Sequence, residues 1–136
     1  MNIGRLILGG VIAGIVANAG DYLINVYLMA DEGTAMVQRL NLSAAAVEGS
    51  LVTWIVVDII LGLLLVFTYA GFRPRFGPGP RTAIIAGVTI WLAICAVFAG
   101  LMSMGIYTQQ AYLKSSALTL ANTVIASLAG AYFYRE

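Results

Sequence analysis

GVIAGIVANAGDYLIN, residues 10–25, is the stretch whose reading decides the fold. At about 100° per residue, Gly10, Gly14, Asn18, Asp21 and Asn25 fall within an arc of roughly 80° on a helix. The other positions are largely Ile, Val, Leu and Ala. A carboxylate and two carboxamides on one stripe, continued by glycines, cannot face lipid cheaply, so this side of the helix is expected to be buried against other helices.

Composition carries the same message for the whole chain. Of 136 residues, 61% are hydrophobic and only 10% charged, with a mean hydropathy of +0.94. Soluble domains carry about 25% charged residues. The apolar residues also come in blocks near the bilayer-spanning length of about 20 residues. The reading is an integral membrane protein of one domain, residues 1–136. A formal net charge of +1 speaks for no nucleic-acid partner. The chain has one cysteine, Cys95, and no histidine, which excludes an internal disulfide, Cys-based or His-based metal sites and histidine-ligated haem. No cofactor and no metal are expected.

Four transmembrane helices are predicted at about 4–29, 51–72, 82–102 and 115–134. Arg5, an apolar stretch and Ala17-Asn18-Ala19 imitate a cleavable signal peptide, but the apolar run continues to Met29, so the first block reads as an uncleaved span. Between the first two spans, Ala35 to Leu40 suits a short interfacial helix, and Ser43 is an N-cap for a helix from Ala44 that runs into the second span. Arg73-Pro-Arg-Phe-Gly-Pro-Gly-Pro-Arg81 holds every proline of the chain and is expected to be a stiff, non-helical connection. It lacks the Gly-Lys-Ser/Thr ending of a phosphate-binding loop.

Short links make this an all-α, up-down-up-down bundle. Arg5, Arg73, Arg75, Arg81 and Arg135 then share one side, and Arg39 and Lys114 the other. The positive-inside rule puts both termini in the cytoplasm. In that orientation Asp21 sits roughly 8 Å below the outer boundary, with Asp58 on the second helix and Asn122 on the fourth at about the same depth. Asn18 and Asn25 lie just below and above. Trp54, Gly62 and Tyr69 share Asp58's face, and Ser115, Thr119, Ala126 and Gly130 share Asn122's, so those faces are expected to point inward. A charged Asp here costs several kcal/mol unless neutralised, hydrogen-bonded or paired. Protonation, a proton shared among the polar groups, and Lys114 or a cation reaching in from outside are the three available remedies.

Small-xxx-small pairs such as Gly10/Gly14, Ala13/Ala17 and Ala126/Gly130 let helix backbones approach closely, with Gly62 in the same role on the second helix. Arg73, Arg75 and Arg81 anchor the topology and suit anionic lipid head groups or a partner protein. The stripe on the first helix, taken with the Arg-Pro-Arg-Phe-Gly-Pro-Gly-Pro-Arg connection, resembles small, uncharacterised bacterial four-helix inner-membrane proteins. That resemblance implies a bacterial inner-membrane location and brings no activity with it. Small multidrug transporters share the size and an acid in the first helix. They lack the second acid and the long first outer connection seen here.

With no catalytic set, no enzyme is expected. The leading functional expectation is a non-enzymatic structural or accessory subunit of a larger or homo-oligomeric membrane assembly, in contact with lipid and other membrane subunits. The alternative is a small proton- or ion-coupled transporter or channel using Asp21 and Asp58, with Asn18, Asn25 and Asn122 as ligands.

Overall fold

A computed structural model of the chain describes residues 1–134; Arg135, counted above among the basic residues of one side, lies outside them. The described residues form five α-helices: α1 Ile3–Leu23, α2 Ala30–Arg39, α3 Ala44–Phe76, α4 Pro80–Ser103 and α5 Gln109–Phe133. A π-helical turn, Ile24–Leu28, extends α1. Four of the elements are long and apolar enough to cross a membrane: Ile3–Leu28, α3, α4 and α5. The chain is therefore described as a multi-pass membrane protein.

The helix ends follow local chemistry. The Asn2 side chain accepts from the Arg5 N–H at 3.1 Å, and Ser43 Oγ accepts from the Ala46 N–H at 3.1 Å. Pro80 opens α4, where its missing N–H costs nothing. Three boundaries depart from the sequence reading. α3 does not stop before Arg73-Pro74 but continues to Phe76. Pro74 forfeits only one intrahelical bond this near the end of a helix, and the Gly77 N–H closes the last turn onto the Arg73 carbonyl at 2.9 Å. Gly77, at φ 79°, then breaks the helix in a conformation that suits glycine. α5 starts well before Ser115, because Thr108 caps it through the Ala111 N–H at 3.2 Å. The interfacial helix α2 starts at Ala30 rather than Ala35, directly after the π-helical turn.

The interior is made mostly of small residues, joined by Leu65, Val66 and Tyr69 of α3. Gly9, Gly10, Ala13, Gly14 and Ala17 of α1, Gly62 of α3, Ala83, Ala86 and Gly87 of α4, and Ala126, Ser127, Gly130 and Ala131 of α5 are buried. Large aliphatics such as Ile7, Leu8, Ile15, Ile60, Leu64, Leu92 and Val97 are exposed. This is the reverse of a soluble core and suits helices that meet through small side chains and turn bulky ones to lipid.

α1 packs chiefly on α3 and α5, and α4 on α5 and α3, so the α3–α5 pair lies between α1 and α4. A Cβ on Gly62 would overlap backbone atoms of Gly10 and Gly14, and one on Gly9 would lie 2.6 Å from the Gly130 carbonyl oxygen. Between α4 and α5, Ser127 Oγ donates to the Ala83 carbonyl at 2.7 Å, and Trp91 Nε1 to that of Ser116 at 2.8 Å.

α2 is held to the far ends of α4 and α5. Arg39 donates to the carbonyls of Gly105 and Ile106, and Lys114 Nζ lies 2.7 Å from Glu32 Oε1. The Lys114 hydrogen bond holds the Glu32 carboxyl below the usual carboxylate range. This contact thus supports the fold above the ordinary carboxylate range and is lost as pH falls through the lowered value.

Candidate functional site: an intramembrane carboxyl pair

Three of the helices deliver a polar side chain to one place. Asn122 of α5 donates through Nδ2 to Asp21 Oδ1 at 2.7 Å and to the Ala17 carbonyl at 3.1 Å, both on α1. The carboxyl groups of Asp21 and of Asp58 on α3 lie within hydrogen-bonding reach of one another. Asp58 is 4% and Asn122 8% exposed, while Asp21 is half-buried.

The backbone explains why these groups meet. Gly20 borders the cluster, where a Cβ would overlap the Asn122 carboxamide. Gly14 passes so close to α3 that a Cβ there would lie 3.0 Å from the Asp58 carbonyl oxygen. Asp21 sits where the α3-facing and α5-facing sides of α1 adjoin, so one carboxyl reaches both neighbours. Gly20 was absent from the candidates read from sequence, because it lies off the polar stripe. Its signal is that it falls in line with Gly9 and Ala13 on a second small-residue face, an arc of roughly 40°.

The remaining candidates fall elsewhere. Asn18 donates to the Gly14 carbonyl at 3.1 Å and across to the Ile55 carbonyl of α3 at 3.3 Å, so it ties α1 to α3 without touching either carboxyl. Asn25 is exposed and donates to the Asp21 main-chain carbonyl at 2.9 Å. Its carboxamide serves the turn in which α1 widens into the π-helical turn. Lys114 does not reach the aspartates, since it pairs with Glu32. Trp54, expected to face inward with Asp58, is 52% exposed, whereas Gly62 and Tyr69 on the same helix are buried. Gly10, Gly14, Gly62 and Gly130 lie at the helix contacts described above.

Arg73, Arg75 and Arg81 lie at the other end of the helices. The Arg73 guanidinium stands 5.4 Å over the Tyr134 ring, and that of Arg75 5.8 Å over Phe76. Two surface cavities, about 520 and 400 Å³, lie on this end, with Arg73 and Pro78 lining both.

The cluster has two acids, one carboxamide and main-chain carbonyls. No group of three or more His, Cys, Asp or Glu side chains able to hold a metal ion occurs among the described residues. Comparison of the chain with protein-family models, curated proteins and solved structures finds no match.

Removing the Asn122 carboxamide leaves two acceptors on α1 without their donor. Asn122→Ala is expected to lower stability in detergent by about 1–2 kcal/mol, measured by denaturant titration. Asn25→Ala, which removes only a local exposed bond, is expected to cost less than half as much. Equal effects would contradict the interhelical role of Asn122.

Proposed function

We propose that the chain is a non-enzymatic, four-span subunit of a larger or homo-oligomeric membrane assembly, in which the polar cluster clamps α1, α3 and α5. The observation that carries this reading is the bare start of α3. Every residue from Ala44 to Val56 is exposed except Ser50, which is half-buried. Val47, Leu51, Val52, Trp54, Ile55 and Val56 are large apolar side chains among them. The 33 residues of α3 make a helix about 50 Å long against a hydrocarbon core of about 30 Å. With its arginines at one boundary, the surplus falls at the uncovered end, where lipid alone is a poor match for a whole helix surface.

The orientation with both termini in the cytoplasm of a bacterial inner membrane belongs to the same proposal. It is supported by Arg5, Arg73, Arg75 and Arg81 on one set of helix ends, and by Met1 lining a cavity with Arg73. Arg39 and Lys114, joined to Gly105, Ile106 and Glu32, belong to the opposite set.

The test is site-directed cross-linking in native membranes. In a Cys95→Ala background, Val52→Cys carrying a maleimide photocrosslinker is expected to form a discrete higher-mass adduct, while Ile15→Cys, exposed on α1, gives none. If both stay at monomer mass, and the protein purifies as a monomer in mild detergent, the subunit reading fails.

A second reading, a proton-coupled carrier or channel, is favoured by one observation, the mutual reach of Asp21 and Asp58. Two carboxylates so close in a low-dielectric layer repel unless a proton lies between them, and such a proton is exchangeable. On this reading, proteoliposomes under an imposed potential acidify faster than empty vesicles, and Asp58→Asn abolishes the difference while the protein stays folded. Wild-type flux at the empty-vesicle level removes this reading.

A further inference from the structure

We propose that the cavity beside Arg73 is a binding site for the phosphate head group of an anionic phospholipid. The cavity, about 520 Å³, is lined by Tyr69, Arg73 and Gly79, which carry polar groups, and by the apolar Ala83 and Leu128 with the Tyr132 ring.

Its polar lining carries donors. Tyr69 is only 4% exposed. Its phenolic oxygen accepts the Gly79 N–H at 3.2 Å, which uses a lone pair and leaves the O–H proton with no acceptor among the described residues. That proton can donate to an acceptor in the cavity that Tyr69 lines. Arg73 supplies a planar guanidinium, the group best matched to phosphate oxygens. α4 begins at the same place with no side-chain cap on its first turn, so its free N–H groups add positive potential. Among the described residues, no Asp or Glu lines the cavity. The chemistry called for is an anion with several acceptor oxygens.

The apolar lining separates a lipid head group from a free phosphate. Buried Ala83 and Ala131 line the cavity together with Leu128 and with Tyr132, which is 65% exposed at the helix surface. The donors Tyr69 and Arg73 lie toward the end of α3, beside Gly79 before α4 and Tyr134 after α5, so the cavity sits at the ends of three membrane-spanning helices. A phosphate at that depth, with acyl chains lying along the apolar side chains, satisfies both kinds of lining. Arg75 and Arg81 are exposed at the same end and supply general attraction to an anionic surface. The site itself depends on Tyr69 and Arg73.

Native mass spectrometry of the full chain in detergent, titrated with phosphatidylglycerol, phosphatidylcholine or inorganic phosphate, tests this. One equivalent of phosphatidylglycerol is expected to bind about tenfold more tightly than phosphatidylcholine, whose choline cation offsets its phosphate charge and is repelled by the Arg73 guanidinium. Arg73→Gln and Tyr69→Phe are each expected to erase most of that preference, Arg73→Lys to keep part of it, and Arg75→Gln and Arg81→Gln to change it less than about twofold. Thermal midpoints identify any variant that has merely unfolded, and Tyr69→Phe is the smaller change should Arg73→Gln do so. Equal binding of the two lipids overturns the proposal, as does an unchanged preference in folded Tyr69→Phe and Arg73→Lys. An equal loss in Arg75→Gln would mean a surface-charge effect. Displacement of the lipid by millimolar inorganic phosphate would assign the site to the free anion instead.

Discussion

Contact between main chains is the constraint on which the rest of this structure depends. Gly62 of α3 lies against Gly10 and Gly14 of α1 with no room for a Cβ, and Gly130 of α5 lies against Gly9 in the same way. In lipid, helices gain little by hiding apolar side chains from one another. Close approach, with its dispersion contacts and interhelical hydrogen bonds, is what holds them. Most of the bulky aliphatics face outward because the glycine and alanine seams leave little room for them; Leu65 and Val66 of α3 are buried exceptions.

The polar cluster is a consequence of those seams. With α1 this close to α3, the turns above the glycine contact bring Asn18 to the Ile55 carbonyl and Asp21 within reach of Asp58. With α1 equally close to α5, and Gly20 leaving space, the Asn122 carboxamide fits between Asp21 and the Ala17 carbonyl. A bond of this kind contributes modestly in a membrane, about 0.6 kcal/mol on average. Its larger effect is on register, since a slip of one residue would strand a buried carboxyl.

Much of this architecture is legible in sequence, for a physical reason. Spans announce themselves by length and hydropathy, and Ser43 and Pro80 are strong local start signals. Asp21, Asp58 and Asn122 stand out because polar groups in an apolar block are costly. What sequence hides is direction. The stripe on α1 reads as one face, yet Gly10, Gly14 and Asn18 turn to α3 while Gly9, Ala13 and Gly20 turn to α5, with Asp21 between them. Asn25 shares the stripe, but its carboxamide satisfies its own main chain, a local choice that periodicity cannot register. Lys114 goes to Glu32 because α2 is longer than its apolar pattern suggests and carries that carboxylate to α5. The run of α3 through Pro74 was obscured because proline is read as a helix stop, although near a helix end it removes only one bond.

The most direct measurement of the central claim is the stability of Gly62→Ala against that of Gly71→Ala. Both add one methyl to α3, but nothing lies within 4 Å of a Cβ at Gly71, while one at Gly62 meets the α1 backbone. Denaturant titration in detergent is predicted to show a loss of about 1–3 kcal/mol for Gly62→Ala. Gly71→Ala is predicted to be neutral or stabilising by up to about 1 kcal/mol. A Gly62→Ala variant as stable as the wild type would contradict the claim that backbone contact between α1 and α3 holds this protein together.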